Sequence, residues 1–201
     1  MSASAAVPDG IVADARRRRL VLGLTGGPGS GKSTFAARLV GEFADKGVAA
    51  VAVPMDGFHL PDAVLDSRGL ADVKGAPSTF DRAALEALLD ALRDQTATVF
   101  APAYSRELHA PVPRAIAIPP QTQIVLVEGN YLSLWPSVRE KLDEIWKLEL
   151  PWEVARERLI ARRIATGRDP QEARAWVDRV DAANALLVAG TPAHRLISDA
   201  G

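Results

Sequence analysis

Apolar residues along this chain form short continuous runs that alternate with segments of helical period. The run Leu20–Gly26 (LVLGLTG) is apolar at almost every position, as expected for a strand that is buried on both faces. The following segment, KSTFAARLVGEFADKG, places Phe35, Leu39 and Phe43 on one face of a predicted helix. Gly47 stands where that helix is expected to end.

The same alternation continues to the end of the chain. Further strands are predicted up to Pro54, over Gln121–Gly129, over Glu144–Leu150 and in the segment HRLISDA. Further helices are predicted to close on Gly167 and Gly190. Because strands and helices alternate throughout, the sequence predicts an α/β fold, with a parallel sheet sandwiched by helices.

Length and composition predict one domain behind a short leader. The chain has 201 residues, of which 48% are hydrophobic, enough for one substantial core. We expect a loose leader over residues 1–19 and a single domain over residues 20–201. The basic cluster at residues 16–19 follows small apolar residues, whereas a secretory signal places its basic residues first. We interpret it as a solvated segment that leads into the first strand.

Charge and residue usage exclude several classes of protein. The net charge is −1, from 24 basic and 25 acidic residues, without the basic excess that is typical of nucleic-acid binders. Cysteine is absent, which excludes disulfides and thiolate metal sites. No apolar run reaches the roughly 18 residues of a membrane span. We therefore expect a cytoplasmic protein without nucleic-acid or membrane partners, and a homodimer is compatible with the sequence.

A glycine-rich segment, GGPGSGKST, separates the first strand from the first helix. Its spacing, Gly-x-x-x-x-Gly-Lys-Ser, is the phosphate-loop pattern. Glycines let the backbone turn several N–H groups toward polyphosphate oxygens at a helix N-terminus. The lysine is expected to reach the β- and γ-phosphates, and the serine hydroxyl to bind Mg²⁺. Lys32 is also predicted to be catalytic. The nucleotide-binding residues predicted in this loop are Gly26, Gly27, Gly29, Ser30, Gly31, Lys32, Ser33 and Thr34.

Acidic residues lie at the carboxyl ends of two of the predicted buried strands. Asp56 follows the second strand in VAVPMDGFHLP, and Glu128 ends the third in QIVLVEGNYL. The carboxyl ends of parallel strands line the ligand crevice of an open sheet. Asp56 is predicted to accept a proton from a substrate hydroxyl or to hold Mg²⁺ through water, and an ordinary Asp-Gly turn is the alternative. Glu128 is predicted to hold Mg²⁺, and an acid that caps the next segment is the alternative.

Two later segments carry the remaining candidates. The helix ARERLIARRIATGRD has a cluster of arginines, interpreted as a lid that neutralises phosphoryl charge, with a solvated basic face as the alternative. The segment VFAPAYSRELHAPVP has the composition of a loop and is predicted to line an acceptor pocket. Among the lid residues, Arg162 is predicted to be catalytic, and Arg158 and Arg163 are predicted to bind the nucleotide. The predicted acceptor residues are Asp56, His59, Tyr104, Arg106, His109 and Asn184.

These motifs resemble the P-loop kinases of the pantothenate kinase, uridine kinase and phosphoribulokinase group, over roughly residues 20–200. MDGFH, APAYS, VEGNYL and RLIARRIATGRD are each similar to elements of that group. PMDGFHLP, KGAPSTFD and VEGNYLSL resemble a bacterial branch of fructose-transport-system kinase-like (nucleoside/nucleotide kinase-like) proteins. The resemblance implies a P-loop NTPase-type sheet with a mobile arginine-bearing lid, ATP and Mg²⁺ as cofactors, and Asp56 as the base.

The acceptor segment departs from the uridine kinase pattern. Ser105 follows Tyr104 where uridine kinases carry Asp, and Ala110 and Pro111 follow His109 in place of their His-x-Arg. The sequence favours an ATP-dependent kinase acting on a hydroxyl of a small polar metabolite. A fructose-like sugar is the first candidate, followed by pantothenate and a nucleoside. The alternative is a regulatory P-loop ATPase that lacks a small-molecule acceptor and has a large apolar interaction surface.

Overall fold

The computed structural model describes residues 7–105, 107–108 and 110–198. The strands are β1 (Leu20–Gly26), β2 (Ala50–Pro54), β3 (Val99–Ser105), β4 (Ala110–Ile118), β5 (Ile124–Glu128), β6 (Glu144–Glu149) and β7 (Arg195–Ser198). The helices are α1 (Asp9–Ala15), α2 (Lys32–Asp45), α3 (Asp62–Ser67), α4 (Arg82–Ala91), α5 (Pro136–Arg139), α6 (Trp152–Ala165), α7 (Pro170–Trp176) and α8 (Ala182–Ala189). Short 3₁₀ turns cover Met55–Phe58, Ala71–Val73 and Pro77–Thr79, and a π-helical turn, Val177–Asp181, joins α7 to α8.

Five parallel strands form the central sheet, in the order β2-β5-β1-β6-β7. Helices flank this sheet, so the predicted α/β fold is confirmed. Glu128 at the end of β5 is the register partner of Leu24 in β1 and of Pro54 in β2. The segments that follow these three strands therefore leave the sheet at the same edge.

The two faces of the sheet are buried in separate apolar layers. Side chains alternate along β5, where Ile124 and Leu126 pack with α1 and α2, while Val125 and Val127 pack with α4 and α5. This period-two alternation explains why the strands are apolar at consecutive positions. Phe35 and Leu39 point from α2 into the first layer, as the helical periodicity predicted.

The leader is packed, contrary to the expectation of a loose segment over residues 1–19. Within its described part, α1 buries Ile11, Val12 and Ala15 in the layer that also contains α2. Arg19 is also buried, contrary to the expectation of a solvated basic cluster, because its guanidinium binds four carbonyl oxygens of other segments. These carbonyls belong to Leu92, Pro119, Pro120 and Thr122.

The segment predicted as an acceptor loop is instead a β-hairpin. Strands β3 and β4 pair antiparallel in a separate two-stranded sheet, with an irregularity between Ala101 and Ala103. Its Pro and Ala residues suggested a loop, but prolines are tolerated in strands at sheet edges. Across the ranges that the structure describes, no helix has the length and hydropathy to cross a membrane.

We expect Arg19→Met to lower the free energy of unfolding by about 2 kcal/mol or more, because buried carbonyl groups would lose a charged donor. Urea unfolding followed by circular dichroism measures the change. The matched control is Arg17→Met. The Arg17 side chain is 81% exposed, and its Nη1 is as far as 4.0 Å from Asp14 Oδ1. Equal losses in the two variants would contradict this role of Arg19.

Candidate active site

The phosphate loop joins β1 to α2 and depends on its glycines. Gly29 and Gly31 have φ values of +78° and +87°, in the left-handed region that favours glycine. A Cβ atom on Gly29 would lie 2.9 Å from the carbonyl oxygen of Ala155, so the loop packs directly against α6. The backbone hydrogen bond from Phe35 N to Gly31 O measures 2.9 Å at the start of α2. The N–H groups of residues 32–34 therefore lie in the first turn of α2, at the helix end where an anion binds most favourably.

Lys32 folds back over the loop with a buried side chain. Its Nζ donates to the carbonyl oxygen of Gly27 at 2.9 Å and lies 3.4 Å from Ser30 Oγ. Burial lowers the pKa of the Lys32 ammonium to about 8, although the carboxylates of Glu128 and Asp56 act in the opposite direction. A polyphosphate would supply the further negative charge that this buried ammonium lacks, so the loop fits the predicted nucleotide.

Ser33 and Glu128, the predicted metal-binding residues, are in direct contact. Ser33 Oγ donates a hydrogen bond of 2.8 Å to Glu128 Oε1. Burial raises the pKa of Glu128, while the Ser33 hydrogen bond and the charge of Lys32 lower it. Hydroxyl and carboxylate oxygens are hard ligands that Mg²⁺ prefers, usually together with water and substrate phosphates. The pair therefore fits the predicted ion.

Asp56 lies exposed in the 3₁₀ turn that follows β2. Because Pro54 is the register partner of Glu128, this turn begins beside the predicted metal-binding pair. A Cβ atom on Gly57 would lie 2.4 Å from the carbonyl oxygen of Pro102, so glycine is needed for the close packing of the turn against β3. The Asp56 carboxylate acts electrostatically on Glu128 and on the buried lysine of the loop.

His59 and Tyr104, two of the predicted acceptor residues, belong to one aromatic cluster. The His59 ring centroid lies 4.0 Å from that of Phe80 and 5.4 Å from that of Tyr104. His59 Nδ1 is 2.9 Å from the carbonyl oxygen of Asp56. Burial lowers the pKa of His59, so the ring is neutral near pH 7. The rings of His59, Phe80 and Tyr104 therefore form an uncharged surface beside the predicted base, which we call the aromatic wall.

Asn184 is buried on α8, close to the same region. Its Nδ2 donates to the carbonyl oxygen of Gly75 at 3.3 Å, so the side chain is engaged with the loop that precedes α4. Arg106 and His109, also predicted to contact the acceptor, lie outside the described residues.

The predicted lid arginines lie on α6 and differ in their surroundings. The charge of Arg162 acts on the buried lysine of the phosphate loop and on Asp181. Arg163 Nε lies 3.7 Å from Asp181 Oδ2, and its guanidinium stacks 4.7 Å from the ring centroid of Trp176. Arg158 is exposed one turn before Arg162. Arg162 is therefore within electrostatic range of the phosphate loop. The contacts of Arg163 connect α6 to α7 and to the π-helical turn.

A family model described as Phosphoribulokinase / Uridine kinase family matches residues 21–173. The chain belongs to this family of P-loop kinases. The match runs from β1 into α7, and it includes the phosphate loop, Asp56, Glu128 and the arginines of α6. The family resemblance carried by the motifs is thereby confirmed.

Individual relatives agree with the family assignment. YggC, an uncharacterized protein of Escherichia coli (strain K12), is 36% identical over 174 residues, which cover 84% of this chain and 72% of that protein. A pantothenate kinase of Leifsonia xyli subsp. xyli is 38% identical over 112 residues, covering 54% of this chain and 34% of that enzyme. A Silicibacter sp. TM1040 protein of known structure is provisionally named a fructose transport system kinase. It is 32% identical with a TM-score of 0.83, and the match covers 92% of this chain and 98% of that one.

Several polar residues of this family member were not singled out from the sequence. Lys74 and Asp62 form an ion pair next to Tyr104, and Tyr131 is fully buried with its hydroxyl 2.5 Å from the Gly75 carbonyl oxygen. The π-helical turn carries a half-buried carboxyl that belongs to Asp181. Lys74 and Tyr131 occur within KGAPSTFD and VEGNYL, so the motifs marked their segments but not the direction of their side chains.

We expect binding of Mg-ATP at pH 8 to take up about half a proton per nucleotide. With a pKa of about 8, Lys32 is about half protonated at that pH, and the bound triphosphate raises this pKa by favouring the ammonium form. At pH 6.5 the free protein already carries this proton, so uptake by Lys32 vanishes. Isothermal titration calorimetry in buffers of different ionisation enthalpy measures the exchange.

The control for this exchange is Lys32→Arg. A guanidinium remains protonated near pH 8, so the residual binding of this variant is expected to lack the uptake. Proton release at pH 8, or equal uptake by the variant, would contradict the assignment of the exchange to Lys32.

Proposed function

We propose that this chain is an ATP-dependent kinase that phosphorylates a hydroxyl of a small polar metabolite. The observation that carries the proposal is the assembly of Lys32, the Ser33–Glu128 pair and Asp56 at one edge of the sheet. Membership of a family of P-loop kinases supports the same reaction.

We infer that a fructose-like sugar is the first candidate acceptor. The Silicibacter sp. TM1040 protein, which matches nearly the whole chain, supports a sugar by its provisional name. Pantothenate follows, supported by the partial match to the Leifsonia xyli enzyme, and a nucleoside is the third candidate.

In the proposed reaction, the acceptor oxygen forms a bond to the γ-phosphorus of ATP, and the bond between this phosphorus and the β–γ bridging oxygen breaks. ADP leaves, and the proton of the acceptor hydroxyl passes to the carboxylate of Asp56. The amides of the loop and Lys32 hold the phosphates. Ser33 and Glu128 would hold Mg²⁺, which neutralises charge on the phosphate oxygens when bound. Arg162 balances charge that develops on the transferred group.

We also propose that α6 and α7 act as a lid over the nucleotide. The packing of α6 against Gly29 and the electrostatic range of Arg162 support this role. Closure of such a segment would exclude water from the phosphoryl group during transfer.

A phosphorylation screen tests the proposed function directly. The protein is incubated with Mg-ATP and a panel of sugars, polyols, hydroxy acids and nucleosides, and ADP release is compared with and without each compound. We expect at least one compound to stimulate ADP release and to gain one phosphoryl group by mass spectrometry. Mg-ATP binding without stimulation by any compound would instead favour a regulatory ATPase.

We expect Asp56→Asn to lower acceptor-dependent turnover by about 10²–10⁴, because the amide cannot accept the proton of the hydroxyl. Mg-ATP binding, measured by calorimetry, is expected to change little because Asp56 lies outside the phosphate loop. The matched control is Asp66→Asn, an exposed residue of α3. Near-normal turnover of Asp56→Asn would remove Asp56 from the mechanism.

Lys32→Ala is expected to behave differently from Asp56→Asn. Lys32 contacts phosphates both in the bound nucleotide and during transfer, so its loss weakens Mg-ATP binding as well as turnover. The same calorimetric and turnover measurements compare the two variants. If neither quantity changed in Lys32→Ala, the assignment of the phosphate loop would be wrong.

A further inference from the structure

An ion pair with a hydroxyl partner lies next to the aromatic wall of the candidate acceptor site. Lys74 Nζ lies 2.5 Å from Asp62 Oδ1 and 3.2 Å from the hydroxyl oxygen of Tyr104. The same ammonium lies 5.5 Å from the centroid of the Tyr104 ring. The side chains of Lys74 and Asp62 remain 28% and 58% exposed, so both are accessible to a small molecule.

The backbone beside Lys74 is held from several directions. The carbonyl oxygen of Gly75 accepts hydrogen bonds from the Tyr131 hydroxyl at 2.5 Å and from Asn184 Nδ2 at 3.3 Å. The amide of Gly75 donates to Thr79 Oγ1 at 3.0 Å, and Thr79 is fully buried. Gly75 has a φ of +102°, which side chains disfavour. Lys74 therefore projects from a fixed main chain rather than from a frayed loop.

Asp56 and His59 connect the ion pair to the phosphate loop through a chain of interactions. Asp56 acts electrostatically on the loop lysine and on His59, whereas Lys74 and Asp62 act on His59. His59 in turn packs against Tyr104, which contacts Lys74. A molecule whose reactive hydroxyl reaches Asp56 would therefore present a more distant part to Lys74 and Asp62.

The chemistry of the ion pair matches a hydroxyl group. An ammonium donates and a carboxylate accepts, and a hydroxyl can satisfy both at once. The pair carries no net charge, so by itself it favours a neutral group over an anionic one. We propose that Lys74 and Asp62 are specificity-determining residues that bind a hydroxyl of a neutral polyol acceptor, remote from the hydroxyl that is phosphorylated. This inference rests on the proposed kinase function.

Steady-state kinetics of Lys74→Met and Asp62→Asn test the inference. Acceptors are neutral polyols and nucleosides, including D-fructose and uridine, and acidic alcohols, including D-glycerate and pantothenate. We expect neutral compounds to be phosphorylated in preference to acidic ones. We expect each variant to raise the KM of the preferred acceptor by about tenfold or more, a larger effect than any fall in kcat.

Matched controls come from a second ion pair of similar exposure, formed by Lys141, just after α5, and Asp90 of α4. Their side chains are 30% and 62% exposed, and the two groups are in contact. Lys141→Met and Asp90→Asn are expected to leave the acceptor KM unchanged. Thermal unfolding verifies that each variant is folded. If Lys74→Met does not fold, Lys74→Arg tests the same contact, because its planar guanidinium is expected to raise KM while keeping the charge.

The outcomes separate this inference from the function on which it rests. Phosphorylation of acidic alcohols alone would overturn the inference and leave the kinase in place. Phosphorylation of a neutral polyol with an unchanged KM in the Lys74 and Asp62 variants would also overturn it. Absence of acceptor-stimulated ADP release with every compound would overturn the proposed function, and the inference with it.

Discussion

The parallel register of β2, β5 and β1 is the constraint on which the candidate site depends. Leu24, Pro54 and Glu128 are partners across the sheet, so a glycine loop, an acidic turn and a buried glutamate meet at one edge. The contact of 2.8 Å between Ser33 Oγ and Glu128 Oε1 follows from this alignment. A register shift of one residue would turn Glu128 to the opposite face and separate the pair.

Burial at this edge shifts the pKa values of two neighbouring charged groups, Lys32 and Glu128. It lowers the pKa of Lys32 and raises that of Glu128, so each group is moved toward its neutral form. Each also lies near the opposite charge of the other, which limits both shifts. A polyphosphate with Mg²⁺ would bring both signs of charge into the same space, which is the physical basis for expecting a metal–nucleotide complex here.

The phosphate side and the acceptor side of the site are built differently. Lys32, Ser33 and Glu128 lie on or next to strands and a long helix, whose positions the sheet determines. His59 and Lys74 lie on turns and loops, and their positions depend on contacts such as that between Gly75 and Tyr131. Loops vary more readily than the elements they connect, so members of one kinase family can share nucleotide chemistry and differ in acceptor.

The sequence by itself determined the strand–loop–helix phosphate site, where along the chain the strands of the central sheet occur, and the acids at the carboxyl ends of β2 and β5. These features depend on local periodicity and on short spacings. The tertiary structure alone decided that α1 packs into the core, that Arg19 is buried, that the predicted acceptor loop is a hairpin, and that Lys74 meets Asp62 and Tyr104. The burial of α1 and Arg19 depends on partners distant along the chain, which meet only when the sheet is packed. The hairpin pairs neighbouring segments, but their proline content indicated a loop.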